Sequence, residues 1–277
     1  MINKIKKVSR KFLKIICSTL IKINFFRFIL FQIREEVDSF HIKVNNSNLK
    51  FCVNNYLLKY RVDTFFEKEP QTIRWIDSFK KNKIFYDIGS NIGLYSCYAA
   101  IKGFKVLSFE PSPFNLEILV KNIKLNNLEN NVTIVPISIN NKNLISKFNL
   151  SSIENGSALS SFGQPISHDG SFLEVKFYYQ TIGIKLDDCV NLFQLPYPDY
   201  IKIDVDGIEH LILEGSNNVL KNATSILIEI NDRFIEQKTR CEQLLKDNNF
   251  YLQSRENTDL SGSDEFESSY NQIWVKK

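Results

Sequence analysis

From residue 83 onward, short apolar runs alternate with longer stretches whose apolar positions recur every three or four residues. The runs have the form of buried strands, and the periodic stretches that of helices with one apolar stripe. The pattern predicts strands at 83–88, 105–110, 132–137, 199–203 and 225–230, and helices at 92–102, 113–126, 208–221 and 234–248. Two more strand-like runs, 249–253 and 271–276, suit an antiparallel closing hairpin around the polar loop 255–269. Strands alternating with helices of about 10–15 residues predict βαβ units. The expected fold class is α/β, a doubly wound parallel sheet.

The chain ahead of this alternation is patterned differently. Through residues 4–30, apolar side chains at Ile5, Val8, Phe12, Ile15, Leu20, Ile23, Phe26 and Leu30 keep helical spacing, which predicts an amphipathic helix. Lys22, Asn24 and Arg27 interrupt it well short of the ~20 apolar residues that span a bilayer. No small-residue cleavage site follows, so it is a poor signal peptide. Residues 36–66 suit short strands (Ser39–Val44, Lys50–Val53) and turns, and a helix is expected at Pro70–Phe79. The expected organisation is a basic N-terminal helix (1–34), a small cap (35–80) and a main domain (81–277). Within the last, residues 149–172 are rich in Ser, Gly and Asn and lack a period. A loop that long in a compact domain is expected to be a lid or binding loop.

Composition changes this picture in two places. The net charge of +4 is uneven: residues 1–34 carry nine Lys and Arg and no acid, leaving −5 for the remainder. The basic helix therefore reads either as a peripheral contact with an anionic membrane surface or as a helix docked on the main domain with its basic face in water. The acidic remainder lacks the basic face that a nucleic-acid partner requires. The five cysteines stand singly, with no CxxC pair and no His at metal spacing, so neither a disulfide framework nor a metal site is expected. A reducing cytoplasm, with contact at the inner face of its membrane, is the expected location.

The chemistry concentrates in two windows. In IFYDIGSNIGLY (84–95), an apolar strand reaches Asp87 and turns through Gly89 and Gly93 into a helix, so that backbone can approach a ligand closely. The next strand ends in Glu110, 21 residues beyond Gly89, where a carboxylate can accept the hydroxyls of a nucleoside ribose. Asp87 would repel a pyrophosphate but suits the ammonium of a methionyl group. The balance favours S-adenosylmethionine (AdoMet) over NAD. An NAD-dependent oxidoreductase is the alternative enzyme, and a non-catalytic AdoMet-binding scaffold the non-enzymatic one. Tyr98 and Lys102 have the Y-x-x-x-K spacing of short-chain dehydrogenases, but on the wrong helix; they read as ordinary surface.

The second window is DYIKIDVDGIEH (199–210). Asp204 ends a central strand, on the side where open α/β sheets bind ligands. Asp206 and Glu209 have the spacing of a helix capping box, and equally that of substrate contacts. Glu229 is a carboxylate in a strand interior, where an acid needs a partner or a task. Asp204 is the first choice of general base, with Glu229 and His210 behind it, and His168 arriving if the polar loop closes. A Mg²⁺-assisted variant would gather Asp204 and the 229–232 segment, although no dedicated ligand spacing is present.

On FYDIGSNIGLYS, FEPSPFNLEILVKNIKLNN, VTIVPISI, IKLDDCV, DYIKIDVDGIEHLILEGS and LIEI, between about Phe85 and Asn231, the chain resembles the FkbM family of AdoMet-dependent O-methyltransferases. The resemblance implies a seven-stranded, Rossmann-like class I methyltransferase sheet. It implies AdoMet held by Asp87, Gly89, Asn91, Gly93 and Glu110, with Ser138 near the adenine. It also implies a small-molecule or glycan hydroxyl as acceptor, on macrolides or on sugars of bacterial surface glycans. Where the family commonly shows DVEG, this chain has Asp206, one methylene shorter.

Overall fold

The computed structural model describes residues 13–43, 48–257 and 267–276. Strands β1 (His41–Lys43) and β2 (Lys50–Cys52) pair antiparallel, and helices Tyr56–Asp63, Phe65–Lys68 and Pro70–Asp77 follow. The main sheet starts with β3 (Ile84–Ile88), helix Leu94–Ile101, β4 (Lys105–Phe109), helix Pro113–Leu125 and β5 (Val132–Val135). Four strands then form a second sheet: β6 (Ser138–Ile139), β7 (Leu144–Leu150), β8 (Ser160–Phe162) and β9 (Phe177–Ile184). Helix Leu186–Phe193 leads back to the main sheet through β10 (Tyr200–Ile203), β11 (Ser225–Asn231), β12 (Phe250–Asn257) and β13 (Ser269–Lys276).

The main sheet runs β12-β13-β11-β10-β3-β4-β5. Strands β11, β10, β3, β4 and β5 are parallel, and β13 and β12 close the edge as an antiparallel hairpin. The chain winds from β3 outward to β5, then returns to the other side of β3 to lay down β10. The reversal opens a crevice beyond the carboxyl ends of β3 and β10, where such sheets bind ligands. Helices cover both faces, which is why β3, β10 and β11 are almost continuously apolar. Their charged exceptions, Asp87, Lys202 and Glu229, all lie near that crevice.

Residues before β3 share the core of the sheet. Leu58, Val62, Phe65, Ile73, Trp75 and Ile76 belong to one buried cluster with Phe85, Tyr98 and Phe104. Trp75 Nε1 donates to Ser225 Oγ at 2.9 Å, and Phe79 stacks on Tyr200 with ring centroids 3.7 Å apart. Each large apolar side chain buried there contributes about 1.5–3 kcal/mol, so the cap is bound to the sheet by ordinary core packing.

Several expectations need correction. No element is expected between 137 and 199, yet four strands and a helix lie there. Strands β7 and β9 expose one face over much of their length, so their apolar signal is half that of the central strands. Segment 149–172 is likewise not all loop, because β8 pairs with β7 through Phe148 and Phe162. The helix expected at 208–221 is two helices, Glu209–Glu214 and Asn217–Asn222. Gly215 lies between them, where a Cβ would come within 2.4 Å of the Asn140 carbonyl oxygen. At the N-terminus, residues 13–20 are helical and a turn precedes a second helix, Asn24–Ser39, which takes over part of the expected cap; residues 4–12 lie outside the described residues. Among the described residues no helix is long and apolar enough to cross a membrane.

Candidate active site

Strand β3 ends in a turn whose Gly89 and Ser90 amides donate to the Phe109 carbonyl at 3.0 and 3.1 Å. Gly89 has φ +85, and a Cβ there would sit 1.9 Å from the Asp204 carbonyl oxygen. The glycine is thus demanded by the end of β10 as well as by any ligand. Gly93, at φ +79, packs instead on Leu119, which a Cβ would meet at 2.3 Å.

Two adjoining cavities occupy the crevice. The first is a narrow cleft of about 60 Å³ lined by Gly89, Asn91, Glu110, Asn115 and the β6 residues Ser138 and Ile139, with Phe148 and Phe162 of the second sheet. Each Glu110 carboxylate oxygen accepts one backbone amide, from Asn91 and from Ser112, both at 2.8 Å. Burial pushes the Glu110 pKa up to about 7, against the pull of those amides. Segment 155–159 closes the cleft. Asn91 and Asn115 donate to the Ser157 carbonyl at 3.0 and 3.1 Å, and Leu159 N donates to Asp206 Oδ2 at 2.8 Å.

The second cavity, about 330 Å³, shares Gly89, Asn91, Ala158, Asp204 and Asp206 with the first. Its sheet side adds Lys202 and Glu229, and its other side is the cap, through Arg61, Lys68 and Glu69 among others. Lys202 Nζ donates to Asp204 Oδ2 at 2.6 Å and lies 5.1 Å over the Tyr95 ring. Burial works against the lysine charge, but Asp204, Asp87 and Glu69 hold its pKa above the ordinary value. Burial likewise works against the Asp204 charge, and Lys202 overrides it, so Asp204 stays ionised. Glu229 has no such cation. Burial first, then the charges of Asp204 and Asp206, lift its pKa far above the carboxylate range and keep it protonated.

Several of the expected site residues lie elsewhere. Asp87 lines neither cavity: it sits in β3 beside Lys202 of β10, with Oδ2 accepting from Ser96 Oγ at 2.5 Å. Its Oδ1 is buried without a hydrogen-bond partner among the described residues. Gly93 serves helix packing. His210 also lines neither cavity, because its helix turns it toward Phe234, ring centroids 5.8 Å apart; burial lowers its pKa and leaves it neutral. His168 is buried beside Ser167 and reaches neither cavity. Of the capping pair, Glu209 accepts from the amides of Val205 (3.1 Å) and Gly207 (3.1 and 3.2 Å), bracing the loop, while Asp206 faces the cavities. Tyr98 and Lys102 both bind Asp77, a structural network on the helix surface.

A family model, the methyltransferase FkbM domain, matches residues 87–255, more than half of the chain. The chain belongs to the FkbM methyltransferase family. Membership replaces the oxidoreductase alternative. The hexuronic acid methyltransferase AglP of Haloferax volcanii is 27% identical over 164 residues, an alignment that covers 58% of this chain and only 62% of the relative. Among solved structures, an FkbM methyltransferase of Methylobacillus flagellatus is 15% identical, covering 71% of this chain and 44% of that one, with a TM-score of 0.45. The precorrin-6y C5,15-methyltransferase of Geobacter metallireducens is 14% identical, covering 76% of this chain and 87% of that one, with a TM-score of 0.46.

Sequence reasoning missed part of this FkbM site. Lys202 carried a legible signal, a lysine between two isoleucines of a strand covered on both faces. Glu69 carried none, because its partners Tyr95 (3.0 Å) and Asn271 (3.3 Å) are brought to it only by folding.

Proposed function

We propose that this protein transfers the methyl group of AdoMet to a hydroxyl of a sugar or glycan, with hexuronic acids the first acceptors to test. The observation that carries this reading is Asp204, an ionised carboxylate at the seam between the two cavities, next to Lys202. The residues present fit the cofactor. Asn91 Oδ1, Ser90 Oγ and Ser138 Oγ are buried without partners at the cavity walls, and Glu110 keeps acceptor capacity beyond its two amides. Glu110 would take the ribose hydroxyls, with Ser138 and the β6 wall against the adenine. Gly89, Asn91 and the Lys202 layer backed by Asp87 would take the amino-acid end.

When bound, AdoMet supplies an electrophilic methyl on a cationic sulfur, whose C–S electrons stay with the sulfur as the methyl leaves. The chain's own contribution is alignment, which can lower a barrier by ~7–11 kcal/mol, and proton management. Asp204 Oδ2 is committed to Lys202, so Oδ1 accepts the hydroxyl proton as the acceptor oxygen forms its new C–O bond. Glu229, being protonated, orients the acceptor by donating a hydrogen bond. That role differs from the general base expected of it.

The test is calorimetry with S-adenosylhomocysteine (SAH), followed by turnover on uronic-acid glycosides and neutral glycosides. Binding with formation of an alkali-stable methyl ether supports the reading. Binding without turnover on any acceptor would leave only a scaffold, and an alkali-labile methyl ester would move the chemistry from hydroxyl to carboxyl.

The reading extends to location. Helix Asn24–Ser39 exposes Phe25 (68%), Phe28 (61%), Phe31 (52%) and Ile33 (53%), while residues 13–34 carry Lys14, Lys22, Arg27 and Arg34 and no acid. The helix ends in Glu35, Glu36 and Asp38, so apolar bulk and positive charge meet only over residues 13–34, which suits an anionic lipid surface there. We assign this segment to peripheral contact with the inner face of the cytoplasmic membrane. Flotation with phosphatidylglycerol vesicles should carry the protein. Equal flotation after Phe25, Phe28 and Phe31 are all changed to Ser would exclude the contact.

A further inference from the structure

The second cavity has two unlike walls. On the sheet side Asp204 is answered by Lys202 at 2.6 Å and Glu229 by its own proton, and Asp206 Oδ2 accepts from Leu159 N at 2.8 Å. The cap wall comes from Leu57, Arg61, Thr64, Phe65 and Lys68. Their spacing of i, i+4, i+7, i+8 and i+11 is one face of a helical path. Backbone bonds from Thr64 to Tyr60 and from Lys68 to Thr64, at 3.0 and 2.8 Å, carry that path through the break between the two cap helices. Both charges on that face are positive, and Glu69, next along the cap wall, lies 3.9 Å from Lys68 Nζ and accepts from Tyr95 and Asn271 at 3.0 and 3.3 Å.

Arg61 is held differently. Its Nε donates to the Gly156 carbonyl at 2.6 Å, and Asn55 of the same cap helix start donates to the Asn155 carbonyl at 2.9 Å. The guanidinium is thus tied through Nε to loop 155–159, on the wall of the cavity. Among the described residues it forms no ion pair with any carboxylate of the chain. Its charge acts on Asp204 and Asp206 across the cavity without contact, and its planar fork matches a two-oxygen anion.

We propose that Arg61, assisted by Lys68, binds a carboxylate on the acceptor, so that the substrate is an acidic sugar anchored by its acid group while a ring hydroxyl faces Asp204. This deepens the methyltransferase reading and rests on it. The carboxylate is the handle, and the hydroxyl is the site of reaction. An anionic acceptor also meets a cavity in which a cationic sulfonium would otherwise face the cap cations.

The experiment uses the full chain saturated with SAH and measures binding of methyl glucuronoside, methyl glucoside and methyl glucoside 6-phosphate. The uronate is expected to bind about 10-fold more tightly than the neutral sugar, the worth of one charge-assisted bidentate contact. That preference should vanish in Arg61→Gln, return in part in Arg61→Lys, shrink in Lys68→Gln, and weaken as NaCl is raised. SAH affinity, measured on each variant, reports that the fold is intact. Equal binding of uronate and neutral sugar, or a preference untouched by both Arg61→Gln and Lys68→Gln, overturns the proposal. Tighter binding of the phosphate than of the uronate overturns the choice of carboxylate. Failure to bind SAH at all would instead strike the AdoMet reading beneath it.

Discussion

The two cavities are built on different principles. The narrow cleft is organised round a glycine turn after β3 and a carboxylate at the end of β4, joined by backbone amides next to each, and the second sheet and segment 155–159 only wall it in. The wider cavity draws its charged groups from the cap, β10 and β11, and their ionisation depends on one another across long sequence separations. A site of the first kind is set by local chain geometry. A site of the second kind is a balance of charges, in which removing one member changes the protonation of the others.

The sharpest way to break this contrast is Asp204→Asn. Turnover should fall by roughly 10²–10⁴-fold, the usual worth of a general base, while SAH affinity measured by calorimetry stays near that of the parent. Wild-type turnover in a variant that binds AdoMet normally would remove Asp204 from the chemistry. Next is Lys202→Met, which strands Asp204 and Asp87 without their buried cation. Urea unfolding should show a loss of about 3–5 kcal/mol, and residual activity should begin at higher pH because Asp204 is no longer held low. A fully stable Lys202→Met protein would mean that the cluster is not coupled.

In the local cleft, Glu110→Gln should weaken SAH binding by about 1.5–3 kcal/mol, the worth of a hydrogen bond to a charged group, with little change in kcat. A smaller effect follows from pH. Glu110 and Glu209 have ordinary pKa values of 4.5 that burial raises to about 7. The folded state therefore holds these protons more tightly than the unfolded state. Their contribution is full below pH 4.5 and is lost as pH rises through about 7. The ligand-free melting temperature should decline across that window, and Glu110→Gln should flatten the decline. SAH affinity should move the opposite way, because ribose hydroxyls need the ionised Glu110 as acceptor. Least of all, His210→Phe should leave kcat/KM unchanged, since its ring packs on Phe234 outside both cavities.

Much of the fold was legible because strands covered on both faces and helices with one covered face leave unlike periods in the chain. Thus β3, β4, β10, β11 and the hairpin β12–β13 fall within a few residues of expectation. The second sheet was hidden, since β7 and β9 show water one face and carry polar residues through their length. Glu110 was legible from its distance to the glycine turn, and Asp204 from its place at the end of a central strand. Asp87 was legible as an acid, but period alone does not say that Ser96 and Lys202 would lie beside it.

By itself, then, the order of residues determined the winding of the main sheet, the glycine turn and the carboxylates that end two strands, since each depends on neighbours close along the chain. Only the tertiary structure decided which acid is charged. Lys202 holds Asp204 ionised, burial beside Asp204 and Asp206 keeps the proton on Glu229, and the cap brings Arg61 to the wall of the cavity. The reason is physical: ionisation in a buried site is set by the few ångströms around each group, and those neighbours come from chain segments that the sequence alone keeps far apart.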